Sequence, residues 1–89
     1  MAEIKVEKPT KEQLKSLNVD NWSSWECKPS TFDWEYASDE RAYVLEGKVK
    51  VKTQAGEVEI NKGDMVLFPK GLKCTWNVID KIRKVYRFE

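Results

Sequence analysis

The chain has no histidine. That removes the commonest metal ligand and the side chain best suited to proton transfer near neutral pH. Cysteine is scarce: Cys27 and Cys74 stand far apart, form no Cys-x-x-Cys unit and match no zinc-ligand spacing. The count allows one disulfide at most, and two free thiols in a reducing compartment are expected. Net charge is nearly absent, with 16 Lys and Arg against 15 Asp and Glu. A basic stripe of the kind that holds nucleic acid is therefore missing, and no nucleic-acid partner is expected. No apolar run reaches the ~18 residues of a membrane-spanning helix, so no membrane partner is expected. The opening Met1-Ala2-Glu3-Ile4-Lys5 lacks the apolar core of a secretion signal. The expected location is cytoplasmic. Glycine (4) and proline (3) are few, so there is no linker or low-complexity tract, and their positions carry weight.

Aromatics and alternating strands are what the chain does have. Its 89 residues predict one domain, 1–89. A chain this short buries only a little over ~60% of its unfolded surface, so the core is small and a homodimer would help it. Four Trp, three Tyr and three Phe compensate, because each large aromatic side chain buries ~150–250 Å². Ile4 and Val6 alternate with charged neighbours and predict a short edge strand. Thr10 and Gln13 have the spacing of a capping box, which predicts a short helix ending near 16–18 with Leu14 and Leu17 on its apolar side. These elements make an N-terminal segment, 1–21. From Trp22 to the end the pattern is β, and residues 22–89 are assigned to a barrel. Val44, Val49, Val51, Val58 and Ile60 fall in strands separated by Gln54-Ala55-Gly56 and Asn61-Lys62-Gly63-Asp64 turns. Cys74, Trp76 and Val78 alternate onto one face, Pro69 breaks the preceding strand, and 82–88 reads as a separate last strand. Many short strands with regular turns predict an all-β sandwich or closed barrel.

The run from Gly63 to Cys74 carries a motif. Gly63, Pro69 and Gly71 match the turn residues of G(X)5PXG(X)2H(X)3N, with Cys74 at the histidine position and Val78 at the asparagine. Upstream, Glu40 and Gly47 match the right half of G(X)5HXH(X)3-4E(X)6G, with Trp34 and Tyr36 at its histidines and its leading glycine absent. The four-residue variant would place Asp33 and Glu35 there instead. Over residues 25–88 the chain resembles the cupins, in particular the short single-domain cupins related to ureidoglycine aminohydrolase and to ethanolamine-utilisation proteins. The resemblance implies a small jelly-roll β-barrel with one short N-terminal helix. It also implies a metal site at positions 34, 36, 40 and 74. Tryptophan cannot ligate, tyrosine ligates only as phenolate, and Glu40 with Cys74 leaves two mismatched ligands where three or more must converge. No metal and no other cofactor is therefore expected.

The same positions suggest other chemistry. By the resemblance Glu40 points into the barrel. There it is either a desolvated acid/base or a structural partner of Arg41, a lysine or a backbone N–H. Cys74 is a candidate nucleophile, or a small buried hydrophobe that Arg83, Lys84 or Arg87 could approach. Trp34, Tyr36 and Trp76 would wall a cavity for a small-molecule ligand, stacking on a sugar-like or heterocyclic face or holding an amine by cation–π attraction. Alternatively they fill a barrel too narrow to be hollow. Three functions follow: a metal-free small-molecule-binding cupin; a hydrolase or lyase on a small nitrogenous or sugar-like compound using Glu40 and Cys74; or a structural or regulatory dimer with a filled barrel.

Overall fold

The computed structural model describes residues 4–89. The first three residues of the predicted segment 1–21, and most of the opening read for a secretion signal, lie outside it. Among the described residues, seven strands and one α-helix run in the order β1 (Lys5–Glu7), α1 (Lys11–Leu17), β2 (Ser23–Cys27), β3 (Ser30–Glu35), β4 (Glu40–Thr53), β5 (Gly56–Asn61), β6 (Met65–Phe68) and β7 (Lys73–Phe88), with a single 3-10 turn at Val19–Asn21 after α1. The fold is all-β with one short helix, as expected. Helix α1 starts where the capping box predicts: Thr10 Oγ1 accepts from the Gln13 N–H, and Gln13 Oε1 accepts from the Thr10 N–H. It ends at Asn18 in the left-handed conformation and buries no residue. With 7 residues it is too short to stand alone.

All described strand pairs are antiparallel. The two long strands, β4 and β7, pair from Glu40↔Phe88 to Lys52↔Thr75 and form the spine of the sheet. Each carries different partners along its length. β4 holds β6 beside Glu40–Tyr43 and β5 beside Lys48–Thr53; β7 holds β3 beside Lys73–Val78 and β2 beside Ile82–Tyr86. β1 closes the edge against β6.

A single bulged region bends this spine. Along β4 the buried positions are even at Glu40, Ala42 and Val44, then odd at Val49 and Val51. The β4–β7 register shifts between Val44 and Val49. An irregularity that changes which parity faces inward is what a β-bulge produces. Gly47 sits at its centre with φ +98, and a Cβ there would strike the Lys81 carbonyl and lie 2.7 Å from Ile82 Cα. Close backbone approach and positive φ both require glycine here. The bend also explains a difference from the sequence reading. Residues 74–78 and 82–88, expected as two strands, are one 16-residue strand. The exposed stretch Ile79-Asp80-Lys81 contains no breaker, and the irregularity in β4 absorbs the bend instead.

The core is the inward face of this curled sheet: Ala42, Val44, Val49, Val51, Ile60, Val66, Phe68, Val78 and Ile82 are almost fully buried, with Tyr36, Leu72, Cys74 and Trp76 beside them. The turn at Pro69-Lys70-Gly71 is tied to the chain before β4. Gly71 N–H donates to the Tyr36 carbonyl, Tyr36 N–H to the Leu72 carbonyl, and Lys70 N–H to Asp39 Oδ1 at 2.6 Å. The motif glycines and proline thus fix where Tyr36 and Glu40 enter the barrel.

Candidate functional site

The inward face does not close completely. At one end a cavity of about 280 Å³ remains, lined by Trp25, Phe32, Trp34, Tyr36, Trp76, Tyr86 and Phe88, with Glu40 and Lys84 as its polar residues. Strand register explains this set. Trp25 pairs with Lys84 across β2–β7, Phe32 with Trp76 across β3–β7, and Glu40 with both Phe68 and Phe88. On β7 the even positions 74, 76, 78, 82 and 84 all turn inward. Trp76 is therefore gripped from several sides: stacked with Phe32 at 6.0 Å, tilted against Phe68 at 5.6 Å and edge-on to Trp25 at 5.8 Å. Tyr36 stacks on Phe68 at 4.8 Å. Trp34 and Phe88, 54% and 62% exposed, form the rim where the cavity meets solvent.

The centre of the site is an ion pair. Lys84 Nζ donates to Glu40 Oε2 at 2.7 Å, and the two residues are only 6% and 5% exposed. Four aromatic rings surround the ammonium at 4.8–5.7 Å from their centroids: Trp76, Trp25, Tyr86 and Phe68. These distances are within cation–π range. Burial lowers the Lys84 pKa from its ordinary 10.5, and the Glu40 carboxylate opposes that shift. Burial raises the Tyr36 phenol, and the Glu40 charge adds to it, so Tyr36 stays neutral. Trp76 Nε1 is buried without a hydrogen-bond partner. It lies near enough to Tyr36 and Cys74 to favour their anions electrostatically, but makes no hydrogen bond of good geometry to either.

Of the residues singled out in the sequence, Glu40, Trp34, Tyr36 and Trp76 meet at this cavity. Cys74 does not, so the expected pairing of Glu40 with Cys74 in one pocket is corrected. Tyr36 and Trp76, both neighbours of Cys74, supply the wall on that side. Cys74 contributes instead to the lining of an open groove of about 720 Å³ with Asp33, Trp34, Thr53 and Thr75, while its side chain stays buried in the core with Sγ 3.6 Å from the Trp34 carbonyl oxygen. Burial raises its pKa, which opposes thiolate formation. Trp34 is a rim residue rather than a wall. Asp33, the oxygen ligand of the other register, bonds Thr75 Oγ1 at 2.8 Å on the exposed side. The sequence reading offered Arg83, Lys84 or Arg87 as neighbours of Cys74 and, among other partners, an unspecified lysine for Glu40; that lysine is Lys84, which Cys74 also influences electrostatically. The signal was there: Ile82, Lys84 and Tyr86 share one parity, and a lysine on an apolar face needs a buried partner. Phe32, Tyr86 and Phe88 were not singled out, because only strand pairing brings them together.

Comparison with known proteins defines the family. Residues 14–86 match the model of the EutQ-like cupin domain. The chain belongs to the EutQ-like cupin family. It is 51% identical to a DUF861 family protein from Thermotoga maritima, whose crystal structure superposes with a TM-score of 0.95 over 98% of this chain and 100% of that one. The EutQ protein of Clostridioides difficile, an acetate kinase by name, is 34% identical over 61 residues. Its crystal structure superposes with a TM-score of 0.66, covering 71% of this chain and 50% of that one. The chain spans 39% of the length of that curated relative.

The metal that the wider cupin resemblance implies does not fit these residues. Trp34 is on the rim, Tyr36 is a neutral phenol, Glu40 is engaged by Lys84 and Cys74 is a buried thiol outside the cavity lining. Among the described residues no three His, Cys, Asp or Glu side chains converge. Nor is any helix among them long and apolar enough to cross a membrane.

Proposed function

We propose that this chain is a metal-free, small-molecule-binding cupin domain whose ligand enters past Trp34 and Phe88 and rests on the Glu40–Lys84 pair. The supporting observation is a cavity of about 280 Å³ that joins aromatic walls to one buried donor and one buried acceptor. Ligand sites are commonly concave, mostly apolar and furnished with a few placed polar groups. The ligand class follows from the charges. The cation position among the rings is taken by Lys84, so an amine would meet a like charge. A neutral sugar-like or heterocyclic molecule with a flat face and an oxygen acceptor suits the walls and the ammonium better. The void argues against a purely structural, filled barrel.

Tryptophan fluorescence and amide NMR titration against small heterocyclic alcohols, monosaccharides and alkyl amines test this reading. Saturable shifts confined to Trp25, Trp76 and Lys84 with the first two classes are the expected result; shifts only with amines would overturn it. Stoichiometric metal in elemental analysis of the purified protein would overturn the metal-free assignment. An enzymatic role is the second reading, favoured by the proton-sharing distance between Lys84 and Glu40. In it Glu40 serves as acid/base with Lys84 rather than with Cys74. The kinase activity in the name of the C. difficile relative belongs to a much longer protein, and nothing in this cavity is built for phosphate transfer. We also propose a single domain in a reducing, cytoplasmic setting that keeps Cys27 and Cys74 free, and a homodimer that supplements the small core. Sedimentation equilibrium tests the dimer.

A further inference from the structure

Lys84 is under-bonded for a purely structural cation. An ammonium has three donor hydrogens. Among the described residues it has one hydrogen-bond acceptor, Glu40, and its other near neighbours are the faces of four rings. It also lines the cavity that opens at Trp34 and Phe88. A nearly buried primary amine, 2.7 Å from a carboxylate that can take and return its proton, has the components of carbonyl condensation. Desolvated lysines are the ones that serve as amine nucleophiles.

We infer that Lys84 captures small aldehydes in this cavity, its Nζ condensing with the carbonyl carbon to give a protonated imine while Glu40 relays the protons. The inference rests on the proposed pocket and names the substrate class of that site. The ammonium first passes one proton to Glu40. The free amine attacks the carbonyl carbon: the C–N bond forms, the C=O π pair moves to oxygen, and an N–H proton reaches that oxygen to give the carbinolamine. Glu40 then returns its proton to the hydroxyl, the C–O bond breaks, and water leaves. In sum, the ammonium and the aldehyde give an iminium and one water, so one positive charge is kept throughout. That charge stays beside the Glu40 carboxylate and among the same rings, so the ion pair survives the reaction. Burial supports the first step by lowering the Lys84 pKa; the titratable groups around it are Glu40 on β4, Cys74 and Tyr86 on β7, and Tyr36 after β3.

The test is reductive trapping on the whole protein. Wild-type chain is incubated with furfural and sodium cyanoborohydride near neutral pH, and modified lysines are mapped by peptide mass spectrometry. Lys84 is expected to label about tenfold or more faster than the exposed Lys52, Lys62 and Lys70. Furfuryl alcohol, the same ring without the carbonyl, should slow labelling at Lys84 alone. Glu40→Gln should slow Lys84 and leave the exposed lysines unchanged. Labelling of Lys84 no faster than of exposed lysines overturns the inference. If furfuryl alcohol still binds saturably by tryptophan fluorescence, the pocket reading survives that result. If it does not bind, both fall.

Discussion

Replacing Lys84 by methionine removes the ammonium and leaves the Glu40 carboxylate buried among aromatic rings. Both members are at least nine-tenths buried, so the cost belongs to the regime of buried pairs. Losing one partner there costs about 3–5 kcal/mol, against about 0–1 kcal/mol for exposed pairs. Lost cation–π contact with four rings adds up to about 2 kcal/mol. Lys84→Met is therefore expected to cost more than Glu40→Met. A domain of this size has about 5–15 kcal/mol in all, so either single change removes a large share. With an m-value near ~1.5 kcal/mol/M, a loss of ~3 kcal/mol lowers the urea midpoint by about 2 M. The double variant Glu40→Met/Lys84→Met leaves no buried charge at this site and fills similar volume. It is expected near wild type or above it. The assay is urea unfolding followed by tryptophan fluorescence and circular dichroism, read as a double-mutant cycle. A double variant as unstable as the sum of the singles, or singles that cost under ~1 kcal/mol, would refute the reasoning: the pair would then be solvated or uncoupled in solution.

Other outcomes follow from the same geometry. The native pKa of Lys84 lies below its ordinary 10.5, so the folded state binds fewer protons than the unfolded state between the two values. Stability from this group is present above 10.5 and is lost as pH falls through the native pKa. Wild-type stability should rise with pH across that window, Lys84→Met should lack the rise, and Glu40→Met should extend it downward; urea midpoints taken from neutral to strongly alkaline pH check all three. Gly47→Ala places a Cβ against the Lys81 backbone at positive φ and is expected to cost about 1–3 kcal/mol, read as a fall in Tm. With a disulfide-exchange reagent, half-buried Cys27 should react in the native state, while Cys74 waits for opening of the fold; equal rates would contradict its burial. Trp34→Ala should weaken ligand binding at the rim with a stability change within about 0.5 kcal/mol; a large loss of Tm would make Trp34 structural.

Much of the fold was legible because local signals agreed. The Thr10–Gln13 capping box, the Gly56 and Gly63 turns, the alternation of Val49 and Val51 with lysines, and the Gly63–Pro69–Gly71 spacing are short-range patterns set by backbone sterics and hydrogen bonding. They pointed to an all-β fold, the helix and the turns on either side of β5. The union of 74–78 with 82–88 into one strand was not legible, because the bend of β7 is accommodated by an irregularity in β4, its partner far away in sequence. Of the candidate site, the positions of Glu40, Tyr36 and Trp76 were legible from the family motif. The fates of Trp34 and Cys74 were not, since exposure at a rim and burial behind the cavity wall depend on which rings fill the space between.

The sequence by itself determined the absences and the local forms. Without histidine, and with tryptophan and tyrosine at two ligand positions, the histidine metal set that the cupin motifs describe cannot assemble here, whatever the tertiary arrangement. Only the tertiary structure decided what replaced it. Residue 40 opens β4 and residue 84 lies near the end of β7; nothing local relates them. Antiparallel pairing of those two strands, with a bulge that sets which parity faces inward, puts both on one buried face at 2.7 Å. A charge taken out of water needs a partner, and long-range strand register is what supplied it.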